Sequence, residues 1–299
     1  MLVSLALPGC FDERSAARQD QDLDEEPSPS ARIARVHVRV HSNADELNGQ
    51  SELQVEGRFV EYRGVDEAFV RVRASLPPLA TDLLLPGACV PTDNLLGDDD
   101  GAEEASDREL ALADVGDMWV SVGQREFPVP LALVPDFLEY VSGVEYAYAD
   151  DSSAALRPVP DGTIPVEVRV EAVAGEDVTS FGASTRLPAR VDLAVEVGPN
   201  DLQVSWDDGG EGLLELDLTM LRGGEIDGQP VTCVVADDGA ARISLLDLHH
   251  LGFGPGDAVQ VVARRYRRST VAAGAFESIE LVAETRSHAV TPWPWLHLR

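Results

Sequence analysis

The chain contains no lysine, and all 23 of its basic residues are arginine. This absence excludes Schiff-base catalysis by lysine, Ser-Lys catalysis and a phosphate-binding loop that depends on lysine. The 53 acidic residues give a formal net charge of −30, so we expect no binding to the phosphates of nucleic acid. No run approaches the roughly 18 apolar residues that a membrane-spanning helix requires.

Motifs that carry chemistry are also missing. The sequence contains no HExxH, GxSxG or complete GxGxxG pattern, and His37 and His41 would lie ~13 Å apart along one strand, too far to share a metal ion. We therefore predict a protein that is not an enzyme and that needs no cofactor. An active site assembled from distant carboxylates is the alternative, because sequence cannot pair such residues in space.

The N-terminal segment offers the most specific motif. Residues 1–9 are apolar or small, and Leu7-Pro8-Gly9-Cys10 resembles a bacterial lipobox, in which the cysteine becomes lipidated. This resemblance implies that Cys10 anchors the protein to a membrane. The first basic residue, Arg14, follows the cysteine, so residues 1–10 are interpreted as a truncated signal whose true start lies upstream. The alternative is an apolar terminus with an incidental cysteine.

Residues 11–31 are rich in acidic residues, serine and proline and have little apolar content. Such a segment cannot bury enough surface to offset chain entropy, so we predict a disordered acidic tether.

From Arg32 onward, apolar and polar residues alternate with a period of two, which is typical of half-buried strands. Clear examples are Val36 to Val40, Val166 to Val170, Leu193 to Val197 and Leu214 to Met220. Two short helices are predicted as exceptions, one over 135–141 and one capped by Ser244 and ended by Gly252. We predict an all-β fold of two antiparallel β-sandwich domains, at 32–189 and 190–299, with Pro188 at the boundary.

Longer stretches carry a resemblance to known proteins. The run DLQVSWDDGGEGLLELDLTM (201–220) resembles early strands of fibronectin type III or immunoglobulin-like domains, which implies that Trp206 is a core residue. With ELALADVGDMWVSVGQREFPVPLALVPDFLEYVSGVEYAY (109–148) and VTCVVADDGAARISLLDL (231–248), the chain resembles uncharacterised predicted lipoproteins of myxobacteria. This resemblance implies a location and an architecture and brings no activity with it.

Two charged segments are candidate binding sites. An acidic loop is a weak candidate for calcium, and its carboxylates are Asp98, Asp99, Asp100, Glu103 and Glu104. A basic segment is a candidate docking patch for a surface glycan or an acidic envelope protein, and its residues are Arg264, Arg265, Tyr266, Arg267 and Arg268. The alternatives are a solvated loop and internal charge balancing.

Once Cys10 is lipidated, Cys89 and Cys233 remain, and they form either a disulfide between the two halves or two separately buried thiols. Taken together, the sequence predicts a noncatalytic, lipid-anchored binding or structural module of the cell envelope, on the outer membrane. One alternative is an accessory subunit of a larger surface assembly, docked through the arginine segment or through Trp293 and Trp295. The other is an envelope hydrolase with a carboxylate site.

Overall fold

The computed structural model describes residues 30–42, 51–95, 109–134, 142–150, 164–172, 179–207, 209, 212–254 and 256–293. These residues form mostly strands. The strands are β1 (Ala31–Ser42), β2 (Ser51–Arg63), β3 (Cys89–Pro91), β4 (Glu109–Leu112), β5 (Asp117–Val122), β6 (Arg125–Val129), β7 (Leu131–Val134), β8 (Ser142–Asp150), β9 (Pro165–Glu171), β10 (Phe181–Arg186), β11 (Ala194–Val197), β12 (Asp201–Ser205), β13 (Leu213–Arg222), β14 (Glu225–Ile226), β15 (Val231–Ala236), β16 (Ala240–Ser244), β17 (Ala258–Ala273) and β18 (Phe276–Pro292). The helices are α1 (Glu67–Arg73), α2 (Ala80–Leu83), a 3-10 turn (Thr92–Leu95) and α3 (Leu245–His250).

An eleven-stranded sheet runs through the molecule, with its main path in the order β3-β15-β13-β17-β18-β1-β2-β4-β8-β7 and β14 paired with β13. Most neighbours are antiparallel, but β1 pairs with β18 and β4 pairs with β8 in parallel. The sheet is therefore mixed, whereas the sequence analysis predicted antiparallel sheets. Period-two alternation is the same for both strand directions, so the sequence pattern could not distinguish them.

Two smaller sheets cover one face of this large sheet. The four-stranded sheet β10-β9-β5-β6 shares a core with β1, β2 and β18, and its buried residues include Met118, Val120 and Val168. The three-stranded sheet β11-β12-β16 shares a second core with β13, β15 and β17, where Trp206 is buried at 6% exposure. The prediction that Trp206 belongs to the core is confirmed.

The opposite face of the large sheet is covered in a different way. Helix α1 packs there through Val70, and the chain that follows it contributes Ala74 and Leu76 to a third, smaller core with Val60 and Leu112 of the sheet. From this core the chain continues across the sheet through α2 to β3. Helices α1 and α2 escaped the sequence analysis, because seven and four residues are too short for a helical period to show.

The predicted C-terminal helix is confirmed. Ser244 is its N-cap and accepts a hydrogen bond from the backbone N–H of Asp247, Leu251 is its C-cap, and Gly252 follows with a positive φ. The other predicted helix, over 135–141, lies outside the described residues. No helix among the described residues is long and apolar enough to span a membrane.

The large sheet crosses the predicted boundary near residue 190. In this sheet β1, from the first half of the chain, is hydrogen-bonded to β18, from the second half. Likewise, β3 from the first half pairs with β15 from the second. The division into 32–189 and 190–299 stays a prediction about which segments can fold on their own.

Candidate functional site

The face of the large sheet opposite the two smaller sheets carries many charged side chains. Alternation along the strands sends one set of residues into the cores and the intervening set to this face. We call this second set the charged face. Its members are Glu56 and Arg58 of β2, Arg35, His37 and Arg39 of β1, Glu284 and Arg286 of β18, Arg264 and Tyr266 of β17, Glu215 and Asp217 of β13, and Thr232 of β15.

A stretch of chain lies over part of the charged face, and a partly open cavity of about 400 Å³ lies between them. We call the part that lines the cavity the cover; it consists of Ser75 to Ala80 together with Thr92 and Leu95. The cover is mostly apolar, whereas the floor is charged. Ligand pockets commonly have volumes of roughly 300–1,000 Å³ and combine apolar walls with a few convergent polar groups.

Arginines of the floor hold the cover in place. Arg58 Nη1 donates to the carbonyl oxygens of Ala74 and Ser75, each at 3.1 Å, and Arg35 Nη1 donates to the carbonyl of Pro77 at 2.6 Å. Ion pairs with Glu145 and Glu280, at 2.8 and 2.7 Å, fix these two guanidinium groups. Both arginines therefore contribute to the architecture of the cavity.

The turn that leads from α1 into the cover is a Schellman motif. The N–H of Leu76 donates to the carbonyl of Arg71 at 2.6 Å, and that of Ser75 donates to Val72 at 3.0 Å. Ser75 adopts a φ of +54°, a position that glycine usually occupies. Leu76 and Val70 then meet in the third core, which fixes the direction in which the cover leaves the helix.

Glu284 is the centre of the charged face, and it is only 1% exposed. Its Oε2 lies 2.7 Å from His37 Nε2 and 3.4 Å from Arg39 Nε, and its Oε1 lies 3.3 Å from Arg286 Nε and 3.8 Å from Arg264 Nε. Burial acts to raise the pKa of Glu284, but His37 and the charges of Arg264 and Arg286 outweigh burial and lower this pKa to about 2. Glu284 is therefore ionised throughout the physiological range.

His37 is held as a neutral imidazole. Arg39 Nη2 lies 3.3 Å from His37 Nδ1, and because a guanidinium can only donate, Nδ1 must be the acceptor. The ring proton then resides on Nε2, which faces Glu284. Burial lowers the pKa of His37 despite the opposing effect of Glu284, which agrees with this tautomer.

A second group of buried charges surrounds Arg264. Its Nη1 donates to Glu215 Oε1 at 2.8 Å, and its Nη2 pairs with Asp217. Burial raises the pKa of Glu215 although Arg264 opposes this. Burial, together with Glu284 and Glu215, also raises the pKa of Tyr266 well above its ordinary value, so its neutral hydroxyl donates to Glu215 Oε1 at 3.3 Å.

The far end of the cavity adjoins a disulfide. Thr232 Oγ1 donates to Asp217 at 2.8 Å, so Thr92 must be the donor in its 2.9 Å contact with Thr232. Thr92 directly follows β3, and the structure joins Cys89 of β3 to Cys233 of β15 through a disulfide. This bond attaches the end of the cover to the sheet.

The arginine segment predicted as a docking patch is divided between the two faces of β17. Arg264 and Tyr266 line the cavity, and Arg268 pairs with Asp82 at 2.6 Å. Arg265 points the other way and is 6% exposed, which makes it unsuitable for a surface patch. Strand alternation is the physical reason, since successive side chains point to opposite faces.

Arg265 is a structural latch. Its guanidinium forms two contacts of 2.7 Å with Asp237, and it donates to the carbonyls of Ala189 and Asp207. Trp206 Nε1 donates to the same carboxylate at 2.8 Å. These contacts tie the 189–190 segment and the chain after β12 to the large sheet. Arg267 is exposed on the same strand face.

Several predicted site residues lie outside the described residues. These are Cys10, Asp98, Asp99, Asp100, Glu103 and Glu104. Within the described ranges, no group of three or more histidine, cysteine, aspartate or glutamate side chains is placed to hold a metal ion. Trp293 is described and packs edge-on against Phe253, with ring centroids 5.5 Å apart, whereas Trp295 is not described.

The sequence analysis missed the most important residues of the cavity, Glu284, Glu215 and Arg286. Glu215 lies on a strand whose alternation the sequence shows, but alternation does not indicate whether the polar side faces solvent or another segment of the chain. One signal was available: the segment LPPLATDLLLPG (76–87) is too apolar for an exposed connection and needs a surface to cover.

No family model and no curated protein matches this chain. Among solved structures, the chain has a weak similarity to the mu homology domain of Fcho1 from Danio rerio with bound Eps15 peptide. The sequence identity is 8% and the TM-score is 0.26, and the match covers 89% of this chain and 97% of that one. The yeast delta-COP-I mu-homology domain complexed with a Dsl1 peptide has 8% identity and a TM-score of 0.26, over 88% and 97%. A DUF4785 family protein from Legionella pneumophila has 12% identity and a TM-score of 0.21, over 77% and 51%. Scores this low carry no argument about function.

Proposed function

We propose that this chain is a noncatalytic binding module of the cell envelope and that its ligand site is the cavity between the charged face and the cover. The observation that carries the proposal is the partly open cavity of about 400 Å³ with a charged floor and an apolar cover. A face that only balanced charge would need no such space. In this proposal, the two larger cores belong to two sandwich domains of immunoglobulin or fibronectin type that share the large sheet.

The envelope location rests on two features. The LPGC sequence at 7–10 implies lipidation of Cys10, and the disulfide between Cys89 and Cys233 is typical of an oxidising compartment. Detergent phase partitioning of the native protein tests the anchor. We expect partition into detergent that is lost in Cys10→Ala, and aqueous behaviour of both proteins would overturn the anchor.

Ligand capture tests the site itself. The protein is equilibrated with the small-molecule fraction of an envelope extract, separated by filtration, and its bound molecules are identified by mass spectrometry. Leu95→Trp places an indole in the cavity, whereas Leu246→Trp makes the same change at a 56% exposed position on α3. We expect Leu95→Trp alone to abolish capture. Equal capture by both variants, or none by the unmodified protein, would overturn the site.

A hydrolase is the second candidate, because the cavity holds two glutamates whose pKa values are shifted in opposite directions, that of Glu215 upward and that of Glu284 to about 2. The contacts of Glu284 favour binding over catalysis. A carboxyl group with a pKa of about 2 is a poor general base near neutral pH. Both of its oxygens are also engaged by cationic or N–H groups. Turnover of a glycan substrate that disappears in Glu215→Gln would favour the hydrolase instead.

A further inference from the structure

The cavity concentrates positive charge in an otherwise acidic protein. Five arginines line it against three glutamates, whereas the whole chain has a formal net charge of −30. Three of these arginines, Arg35, Arg39 and Arg58, use their guanidinium groups on carboxylates or on the cover. The other two are Arg264 and Arg286. Arg264 pairs with Glu215 and Asp217 through its two Nη groups, whereas Arg286 contacts Glu284 through Nε.

Arg264 and Arg286 lie directly opposite each other on neighbouring antiparallel strands. Like charges in this position repel each other, and the carboxylate of Glu284 lies close to both guanidinium groups. Buried Nε of Arg264 has no hydrogen-bond acceptor among the described residues, and its nearest carboxylate oxygen, on Glu284, is 3.8 Å away. Leaving a buried donor without an acceptor is costly, especially on a charged group.

Arg286 is the accessible member of the pair. Its side chain is 32% exposed, and its polar contact within the described part of the chain is that of Nε with Glu284 at 3.3 Å. Its two Nη groups are therefore available to a ligand. Arg286 also borders a second, smaller cavity of about 140 Å³ beside Arg39 and His41, so it lies between two open volumes.

The wall opposite this arginine pair is apolar. The cover presents Leu76, Pro77, Pro78 and Leu79, and Leu95 completes the wall. A ligand that uses both surfaces must carry an anionic group at one end and an apolar body at the other. A planar carboxylate matches the two-pronged geometry of a guanidinium.

We propose that the cavity binds a small molecule with a carboxylate and an apolar body, that Arg286 binds the carboxylate beside Arg264, and that the cover binds the apolar body. This inference rests on the proposed function, since it assigns the ligand class of the same cavity. Arg286 contributes most of the selectivity, because its contact among the described residues is made by Nε and not by Nη, whereas the other lining arginines use Nη groups within the protein.

Isothermal titration calorimetry with octanoate tests the inference, and octanamide serves as the uncharged probe of the same length. We expect octanoate to bind at least about tenfold more tightly than octanamide, since hydrogen bonds to charged groups are the stronger ones. Arg286→Gln should weaken octanoate binding by about tenfold or more and leave octanamide unchanged. Arg286→Lys, which keeps the charge and loses the fork, should fall between them. Arg267→Gln removes an exposed arginine from the other face of β17 and should have no effect.

Two outcomes would overturn the inference. In the first, octanoate and octanamide bind equally well, Arg286→Gln changes neither affinity, and Leu95→Trp abolishes both. This result would keep the cavity as a ligand site but reject the recognition of a carboxylate. Absence of octanoate binding by a folded protein would reject this ligand class, while the extract experiment would still decide the function.

Discussion

Replacing Glu284 with glutamine should expose how strongly the charged face depends on one buried carboxylate. The environment lowers the pKa of Glu284 from 4.5 to about 2. A difference of about 2.5 pKa units corresponds to roughly 3 kcal/mol of folding free energy at neutral pH. Removing one member of a buried ion pair typically costs about 3–5 kcal/mol, which agrees in size. We therefore expect Glu284→Gln to lower the free energy of unfolding by about 3 kcal/mol at pH 7.

The pH dependence of this effect provides a sharper test. A carboxylate whose pKa is lowered by folding stabilises the native state above its unfolded pKa, and this stabilisation is lost as pH falls from about 4.5 toward 2. Urea unfolding at several pH values should thus show the difference between the unmodified protein and Glu284→Gln shrinking below pH 4.5. Glu109→Gln, which removes an exposed partner of Arg63, is the control and should cost less than about 1 kcal/mol. A loss under 1 kcal/mol for Glu284→Gln, or a difference that is the same at pH 7 and pH 3, would refute the reasoning.

Three further predictions concern the framework around the cavity. In chemical denaturation, Arg265→Met should lower the free energy of unfolding by about 3–5 kcal/mol, because it leaves the buried carboxylate of Asp237 without its cationic partner. Arg267→Met should change it by less than about 0.5 kcal/mol. Similar losses in the two variants would reject the structural role of Arg265. Cys89→Ala should lower the free energy of unfolding by about 2–5 kcal/mol, since the disulfide with Cys233 closes a loop with a sequence separation of 144. As a check, the denatured, unreduced protein should show no free thiol other than that of Cys10. Ser75→Gly should raise the melting temperature, by relieving a positive φ that costs a non-glycine residue about 1–2 kcal/mol; a fall would show that the Ser75 side chain stabilises the cover.

Strand positions could be predicted from the sequence because alternation is a local property. The pattern at Val36 to Val40 identifies β1 whichever strand lies beside it, and the Ser244 cap identifies α3 from a few adjacent residues. Sheet order is not local. The pairing of β1 with β18 joins residues about 245 positions apart, such as Arg35 and Glu280, and no turn between them constrains the register.

The charged face could not be predicted for a related reason. A polar residue on an alternating strand has the same pattern whether it faces water or a covered cavity. The alternation therefore did not indicate that Glu284, Glu215 and Arg35 are buried, each with a partner on another strand. The segment from Arg264 to Arg268 was compatible with a docking patch and with internal charge balancing, and the sequence could not decide between them for Arg265. Its partner Asp237 lies in the turn after β15, where the sequence offers no sign of the contact.

The most direct test of a ligand site beneath the cover is a crystal structure of the protein grown with 8-bromooctanoate, because the anomalous signal of bromine identifies the apolar end of the ligand. The account predicts a bromine peak beside Leu79 and Leu95 and carboxylate density beside Arg286. Bromine peaks only outside the cavity, or an empty cavity at a concentration that saturates binding in solution, would contradict it.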